Sequence, residues 1–473
     1  MLSLVEVAER VRKGPRISEM EWNMGLFQKM NELAQRFDIV APENSWDHYC
    51  NKDPALSERA LEAGMAFVVE SGTYCIQTGR VVQFTADEIS ESVAESPRQV
   101  IMGEGDEACV AGEGPIDLPP LQHTQYLHGP FEDEIAVDVI RCYAETTGSS
   151  YIEGYNFCRL DGHEIHGVPM EAAAAKRELA RLREAFDRMG RPGMAAVFYP
   201  ISTADAVLAA PIDPVRGLRP TDGILMSLLP DVKLDLDHLT AAVIREQYGT
   251  RVKNGGGYSM AGGFCGGIAG AIIESIAKAI IAWMTLRTVF NSGSVGNTLS
   301  IRQKKLVVQP ILSWASSVCS QALGRLNPLW GGAGKSTMAG IGSSSGPGSR
   351  THLWELAMGA IGAGVFGYDP SGGRWHITTI MNARHSPYET VFARQVAKAT
   401  RKAGIEEKDI PVLMKKLAPV VEAMPVQPGR DIRETYDLVN NRPQQWYREL
   451  GESVQSELSK GFGLSKGFGL VFD

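Results

Sequence analysis

From about residue 149, short apolar runs alternate with longer amphipathic ones, and this alternation leaves the chain few architectures. SSYIEGYNFC precedes MEAAAAKRELARLREAFDRMG, MAAVFYP precedes STADAVLAA, and GILMSLLP precedes LDHLTAAVIREQYG. KNGGGYSM then leads into an apolar helix over 264–284, and TVFNSGSV into LVVQPILSWASSVCSQALG. The short runs are mostly apolar, as strands covered on both faces must be. A strand followed by a helix, repeated, builds a parallel sheet, because each helix returns the chain to the same end. Five or more such units in roughly 230 residues predict an α/β fold with a closed TIM-type (β/α)8 barrel, an open doubly wound sheet being the alternative.

The flanks read differently. Residues 1–145 are expected to be mostly helical, beginning with the amphipathic run MLSLVEVAERVRKGPRIS. In QFTADEISESVAES, Thr85 followed three residues later by Glu88 is a capping-box signature. GEGPIDLPPLQHTQYLHGP, rich in proline and glycine, predicts a long loop before the barrel. The barrel and its active-site mouth are expected over 146–395, and a helical tail over 396–473. The tail ends in LSKGFGLSKGFGLVFD, whose tandem LSKGFG reads as a local duplication.

Composition narrows the function classes. A formal net charge of -8 and the lack of any basic stripe interleaved with aromatics argue against nucleic acid as a partner. The most apolar stretch, IAGAIIESIAKAIIAWM, is interrupted by Glu274 and Lys278, so no membrane span is expected. The N-terminal run lacks the features of a secretory signal, and seven dispersed cysteines predict reduced thiols and a cytoplasmic location.

Trp330–Thr337 reads WGGAGKST and invites a nucleotide-binding reading. A phosphate-gripping loop needs a glycine five residues before Gly334, so that successive main-chain N–H groups face the anion; Leu329 stands there instead. Asn327 and Pro328 precede it where a strand would be needed. The stretch is therefore expected to be a glycine-rich βα-loop at the barrel mouth.

Five stretches together resemble the monomethylamine:corrinoid protein methyltransferase family: YCIQTGRVVQFTADEI (74–89), GRPGM (190–194), KLDLD (233–237), GGFCGGI (262–268) and GLVF (469–472). Their order and approximate spacing hold over essentially the whole chain. The resemblance implies a TIM-type barrel, a homo-oligomer, and methyl transfer from a small methylated substrate to the corrinoid (cobalamin) of a separate partner protein. It also exposes a departure. In that family the strand after R-P-G-M carries pyrrolysine, whose electrophilic imine holds the amine; here Val197 or Phe198 takes that place. Leu225 and Gly256 fall where the family has partner glutamates, and Pro328 where it has a pocket glutamine. The chain reads as a pyrrolysine-free relative with a different methyl donor.

The remaining chemistry follows from the leaving group. A neutral amine must be activated before it leaves, whereas a quaternary ammonium or sulfonium carries its own activating charge and needs a water-poor box of aromatic faces. Phe198, Tyr199, Tyr258 and Trp330, expected at C-terminal strand ends, are the candidate catalytic aromatics, with core packing as the competing role. Asp222, Asn254, Gly256, Arg374 and His376 are candidate substrate-binding positions near the same mouth, and Gly331, Gly332 and Lys335 candidate corrinoid contacts. A rival reading uses zinc: Cys158, His163 and His166, spaced C-x4-H-x2-H around Glu164, would hold an ion that activates an O- or S-methyl donor. A barrel that binds a methylated ligand without catalysis is the third possibility.

Overall fold

Main-chain pairing makes the strand–helix alternation a parallel sheet. The computed structural model describes residues 2–119, 124–127, 130–154, 156–157, 159–198, 203–249, 251–254, 258–291, 293–297, 310–330, 341–365, 374–375, 377–379, 385–460, 469–470 and 472. Its main sheet comprises β1 (Thr124–Tyr126), β2 (Tyr151–Glu153), β3 (Ala195–Phe198), β4 (Gly223–Leu225), β5 (Arg251–Asn254), β6 (Thr288–Phe290) and β7 (Arg374–Trp375). All neighbours are parallel, in the order β6-β5-β4-β3-β2-β1-β7. Every residue of β2, β3 and β6 is buried, which explains their mostly apolar sequences, Glu153 and Thr288 being the polar exceptions. β1 lies inside the stretch expected as a loop; three residues bracketed by proline and glycine do not show a strand pattern.

Three short parallel ribbons continue the sheet past the C-terminal ends of its strands. Pro130–Phe131 pairs with Asn156–Phe157 after β1 and β2, and Tyr258–Ala261 pairs with Ser294–Asn297 after β5 and β6. The third joins Ile341–Ser343 to Ile377–Thr379, the latter just past β7.

The opposite end is covered. A hairpin of Gln99–Met102 and Cys109–Gly112 lies across the starts of the strands. Gly103 N–H donates to the Thr221 carbonyl at 3.2 Å and Glu104 N–H to that of Gly193 at 2.9 Å. Arg191 joins Glu107 at 2.6 Å and donates to the Ser149 carbonyl, just upstream of β2. Gly112 has a φ of +91° and no room for a side chain: a Cβ there would lie 2.6 Å from Leu329.

The apolar helix read at 264–284 spans Ile268–Leu286 and is buried along nearly its whole length. It packs against helices Glu19–Arg36, Pro54–Glu70 and Pro310–Leu326, so its long apolar surface meets protein on all sides. Gly64 makes the close approach possible, since a Cβ there would sit 2.5 Å from Ile276 Cγ2. Glu274 and Lys278, one turn apart, stay buried inside this packing; burial raises the pKa of the acid and lowers that of the amine, and each is partly rescued by the other's charge. The capping box read at Thr85 is formed: the Thr85 hydroxyl accepts from Glu88 N–H at 3.2 Å, and the Glu88 carboxylate accepts from Thr85 N–H at 2.9 Å.

Candidate functional site

Register and strand alternation decide which side chains share a face. Val197 pairs with Glu153 and Gly223, while Phe198 pairs with Ile224 and Ala196 with Ile152. Tyr151, Glu153, Ala195, Val197, Gly223 and Leu225 therefore project to one side, and Ile152, Ala196, Phe198 and Ile224 to the other. Asp222, two residues before Ile224, is reached by Arg183 from the Met170–Arg188 helix, which marks the second side as the one under the helices. The inner face thus carries Val197 beside Glu153, with Leu225 two residues beyond Val197's partner.

This corrects the expected role of Phe198. It ends β3, but it is buried at 1% exposure on the helix side, in an all-apolar row. Of the two residues that the resemblance puts at the pyrrolysine position, Val197 is the inward one.

Asp222 is also placed differently from expectation. It precedes β4 instead of following it, at the covered end of the sheet. Its carboxylate accepts the main-chain N–H of Ala196 at 2.9 Å and of Arg219 at 2.7 Å, and pairs with the Arg183 and Arg219 side chains. Its bonding capacity is used to join β3, β4 and a helix. Trp330 is placed level with the C-terminal end of β6. It follows the Pro310–Leu326 helix after a turn in which Asn327 accepts from the N–H groups of Leu329 and Trp330, and it bridges to Asn291, just beyond β6. Its ring is fully buried, and its indole N–H has no hydrogen-bond partner among the described residues. Arg374 pairs with Thr124, itself paired with Tyr151, so it stands level with strand starts and not with the mouth.

Asn254 does end its strand, paired with Leu225 and Phe290, and Tyr258 opens the ribbon beyond it, paired with Ser294. Tyr199, Gly256, Gly331, Gly332, Lys335, His376 and Cys158 lie outside the described residues, as does most of the WGGAGKST loop and the tandem LSKGFG. His163 and His166 sit on an exposed hairpin, where His166 Nε2 is 3.4 Å from Glu164 and both side chains are more than half exposed. Among the described residues no group of three His, Cys, Asp or Glu side chains is placed to hold a metal ion.

Sequence reasoning missed Glu153. It is fully buried at the end of β2, on the inner face, with Val197 as its register partner on the next strand. The signal was present: a carboxylate interrupts the apolar run SSYIEGY just before a glycine. Glu178 was missed as well. It is buried on the Met170–Arg188 helix and accepts the Phe157 N–H of the first ribbon at 2.7 Å. Burial pushes its pKa up to about 8, against the opposing pull of that bond and of one from Asn156.

A further buried polar cluster flanks the third ribbon. His352 Nδ1 lies 2.8 Å from Ser343 Oγ, and Glu355 accepts the main-chain N–H groups of Ser344 and Ser345 at 3.0 and 3.1 Å. His352 stacks on His385 with ring centroids 5.3 Å apart; burial lowers both pKa values, that of His385 to about 4. The Gln427 N–H to Ser345 Oγ bond and the Tyr447 hydroxyl to Glu389 bond fasten the C-terminal segment over this cluster.

The sequence pattern of the family described as Monomethylamine methyltransferase MtmB matches residues 2–464. The monomethylamine methyltransferase MtmB2 of Methanosarcina acetivorans is 23% identical over 470 residues, covering 98% of this chain and 97% of the relative. MtmB of Methanosarcina mazei is 23% identical over 472 residues, with the same coverage. The crystal structure of the Methanosarcina barkeri monomethylamine methyltransferase (MtmB) shares the fold, with a TM-score of 0.79 at 20% identity over 99% of this chain and 98% of that one.

Proposed function

Because the chain belongs to the monomethylamine methyltransferase MtmB family, we propose that it moves a methyl group from a quaternary ammonium or another small N-methyl donor to the cobalt of a separate corrinoid protein, working as a homo-oligomer. The observation that carries the donor class is the inner face. Val197 stands where the family's strand bears its electrophilic residue, and Leu225 where it bears a glutamate, so nothing on those two positions can activate a neutral amine. A quaternary nitrogen needs no such activation, because it leaves as a neutral amine.

The same reading takes the sheet as a closed ring. Trp330 bridges to Asn291 beyond β6, and Ile341–Ser343, downstream of Trp330, pairs with the strand that follows β7. On this reading those two places, Trp330 beside β6 and Ile341–Ser343 beside the strand after β7, mark the eighth stave of a TIM-type barrel. Its lumen is capped by the Gln99–Gly112 hairpin, so the partner's corrinoid meets the donor at the ribbon end.

The reduced cobalt supplies the nucleophile. The tasks left to this chain are to orient the donor, exclude water, and hold its charge, with Tyr258 and Asn254, from their places in the chain just at and beyond the end of β5, as the first positions to vary. The test mixes purified protein with a cobalt(I) corrinoid protein and a panel of betaines, choline, sulfonium compounds, monomethylamine and methyl ethers, following the absorbance of the methylated corrinoid. Transfer from the cationic donors is expected. Transfer only from monomethylamine or neutral ethers overturns the donor class, and no transfer from any donor supports a binding barrel without catalysis.

A further inference from the structure

We infer that the outer face of the Met170–Arg188 helix carries a binding site for a small oligophosphate, apart from the inner face of the sheet. A groove of about 490 Å³ runs there between the helix and the segment that leads into β4, and four of the side chains lining it, Lys176, Arg177, Arg181 and Arg216, are cations. Helical spacing builds one wall. Ala173, Arg177, Ala180 and Glu184 follow one another at steps of three or four residues, so they share a stripe, and the two alanines leave a trough between the long side chains. The facing wall is preset by its own main chain. The Asp213 carboxylate accepts the N–H groups of Val215 and Arg216, each at 2.9 Å, while Gly217 N–H donates to the Asp213 carbonyl at 2.8 Å.

The charges in the groove are only partly answered. Asp133, from the helix Asp133–Thr147, pairs with Arg177 at 2.6 Å and with Arg181 at 2.5 Å. Glu184 is shared between Arg181 at 2.9 Å and Arg188 at 2.6 Å. Lys176 and Arg216 form no ion pair among the described residues. The Asp213 carboxyl is held below its usual range, first by the main-chain N–H groups of Arg216 and Val215 and then by the charges of Arg216 and Lys176, so both cations gather near one acid. No aromatic or long apolar side chain lines the groove, which offers no seat to a nucleobase or a lipid tail. A guanidinium grips two phosphate oxygens at once and an ammonium adds a point charge, so a ligand with several phosphate charges over a short length engages all four cations. Diphosphate is the smallest such species.

The probe is inorganic pyrophosphate, titrated calorimetrically into the full chain at roughly 0.1 M salt, where exposed charges are screened beyond about 10 Å. One site per chain is expected, with pyrophosphate held at least about tenfold tighter than orthophosphate. Lys176→Gln combined with Arg216→Gln should weaken pyrophosphate at least about tenfold. Both side chains are exposed, so the circular dichroism spectrum should not change. Lys416→Gln, which removes an exposed charge from the helix Ile410–Glu422, should leave binding as it is. The assignment is overturned if pyrophosphate does not bind, if the double variant binds it as well as the unaltered chain, or if Lys416→Gln weakens it equally.

Discussion

Asp222 and Arg183 form an ion pair whose side chains are 0% and 5% exposed, and through it the Met170–Arg188 helix is pinned to the start of β4. The same carboxylate takes main-chain N–H groups from Ala196 and Arg219. Asp222→Ala would leave a guanidinium buried beside two carbonyls and free both N–H groups. Removing one partner of such a pair costs about 3–5 kcal/mol. Urea unfolding followed by circular dichroism should show a loss of that size.

Val197 and Phe198 should separate function from stability. Phe198→Ala opens a hole under the helices and should cost about 3–5 kcal/mol without changing which donor is used. Val197→Phe fills the inner face instead. It should lower methyl transfer at least about tenfold while changing stability by roughly 1–3 kcal/mol. If both changes act equally on donor choice, the face assignment is wrong.

Glu88 predicts an acid limb. Arg10 and the Thr85 N–H hold its pKa down to about 2, from an ordinary 4.5. A depressed carboxylate stabilises the fold above its unfolded value, and that contribution disappears as pH falls from 4.5 through about 2. Arg10→Gln should flatten stability over this window. Thr85→Ala removes the cap as well and should cost about 0.5–2 kcal/mol at neutral pH.

Glu178 has the opposite sign. Its folded pKa is raised to about 8, so the protonated acid is the form the fold prefers. The stabilisation is complete below 4.5 and is lost as pH rises through about 8. Glu178→Gln keeps an oxygen for the Phe157 N–H and cannot ionise. Denaturant titrations between pH 6 and pH 9, roughly the window concerned, should fall for the unaltered protein and stay level for the variant.

The strand–helix rhythm was legible because strands buried on both faces are mostly apolar, as in AAVF. β1 was not, since Thr124, Gln125 and Tyr126 sit between prolines and glycines and take their strand geometry from β2 and β7. The choice between Val197 and Phe198 needed register, because a shift of one residue exchanges the two faces. Asp222 was misplaced for a related reason: a polar residue beside a strand run looks the same at either end until the pairing shows which end is open.

On the proposed closed-barrel reading, the hairpin across the strand starts leaves the ribbon end as the doorway for donor and corrinoid protein alike. A small molecule and a bulky protein that use one entrance must take turns, the small one going in first and its demethylated remnant coming out only after the large one has stepped away. Steady-state rates should accordingly fall when the corrinoid protein is present in excess over the donor, because an early arrival bars the way.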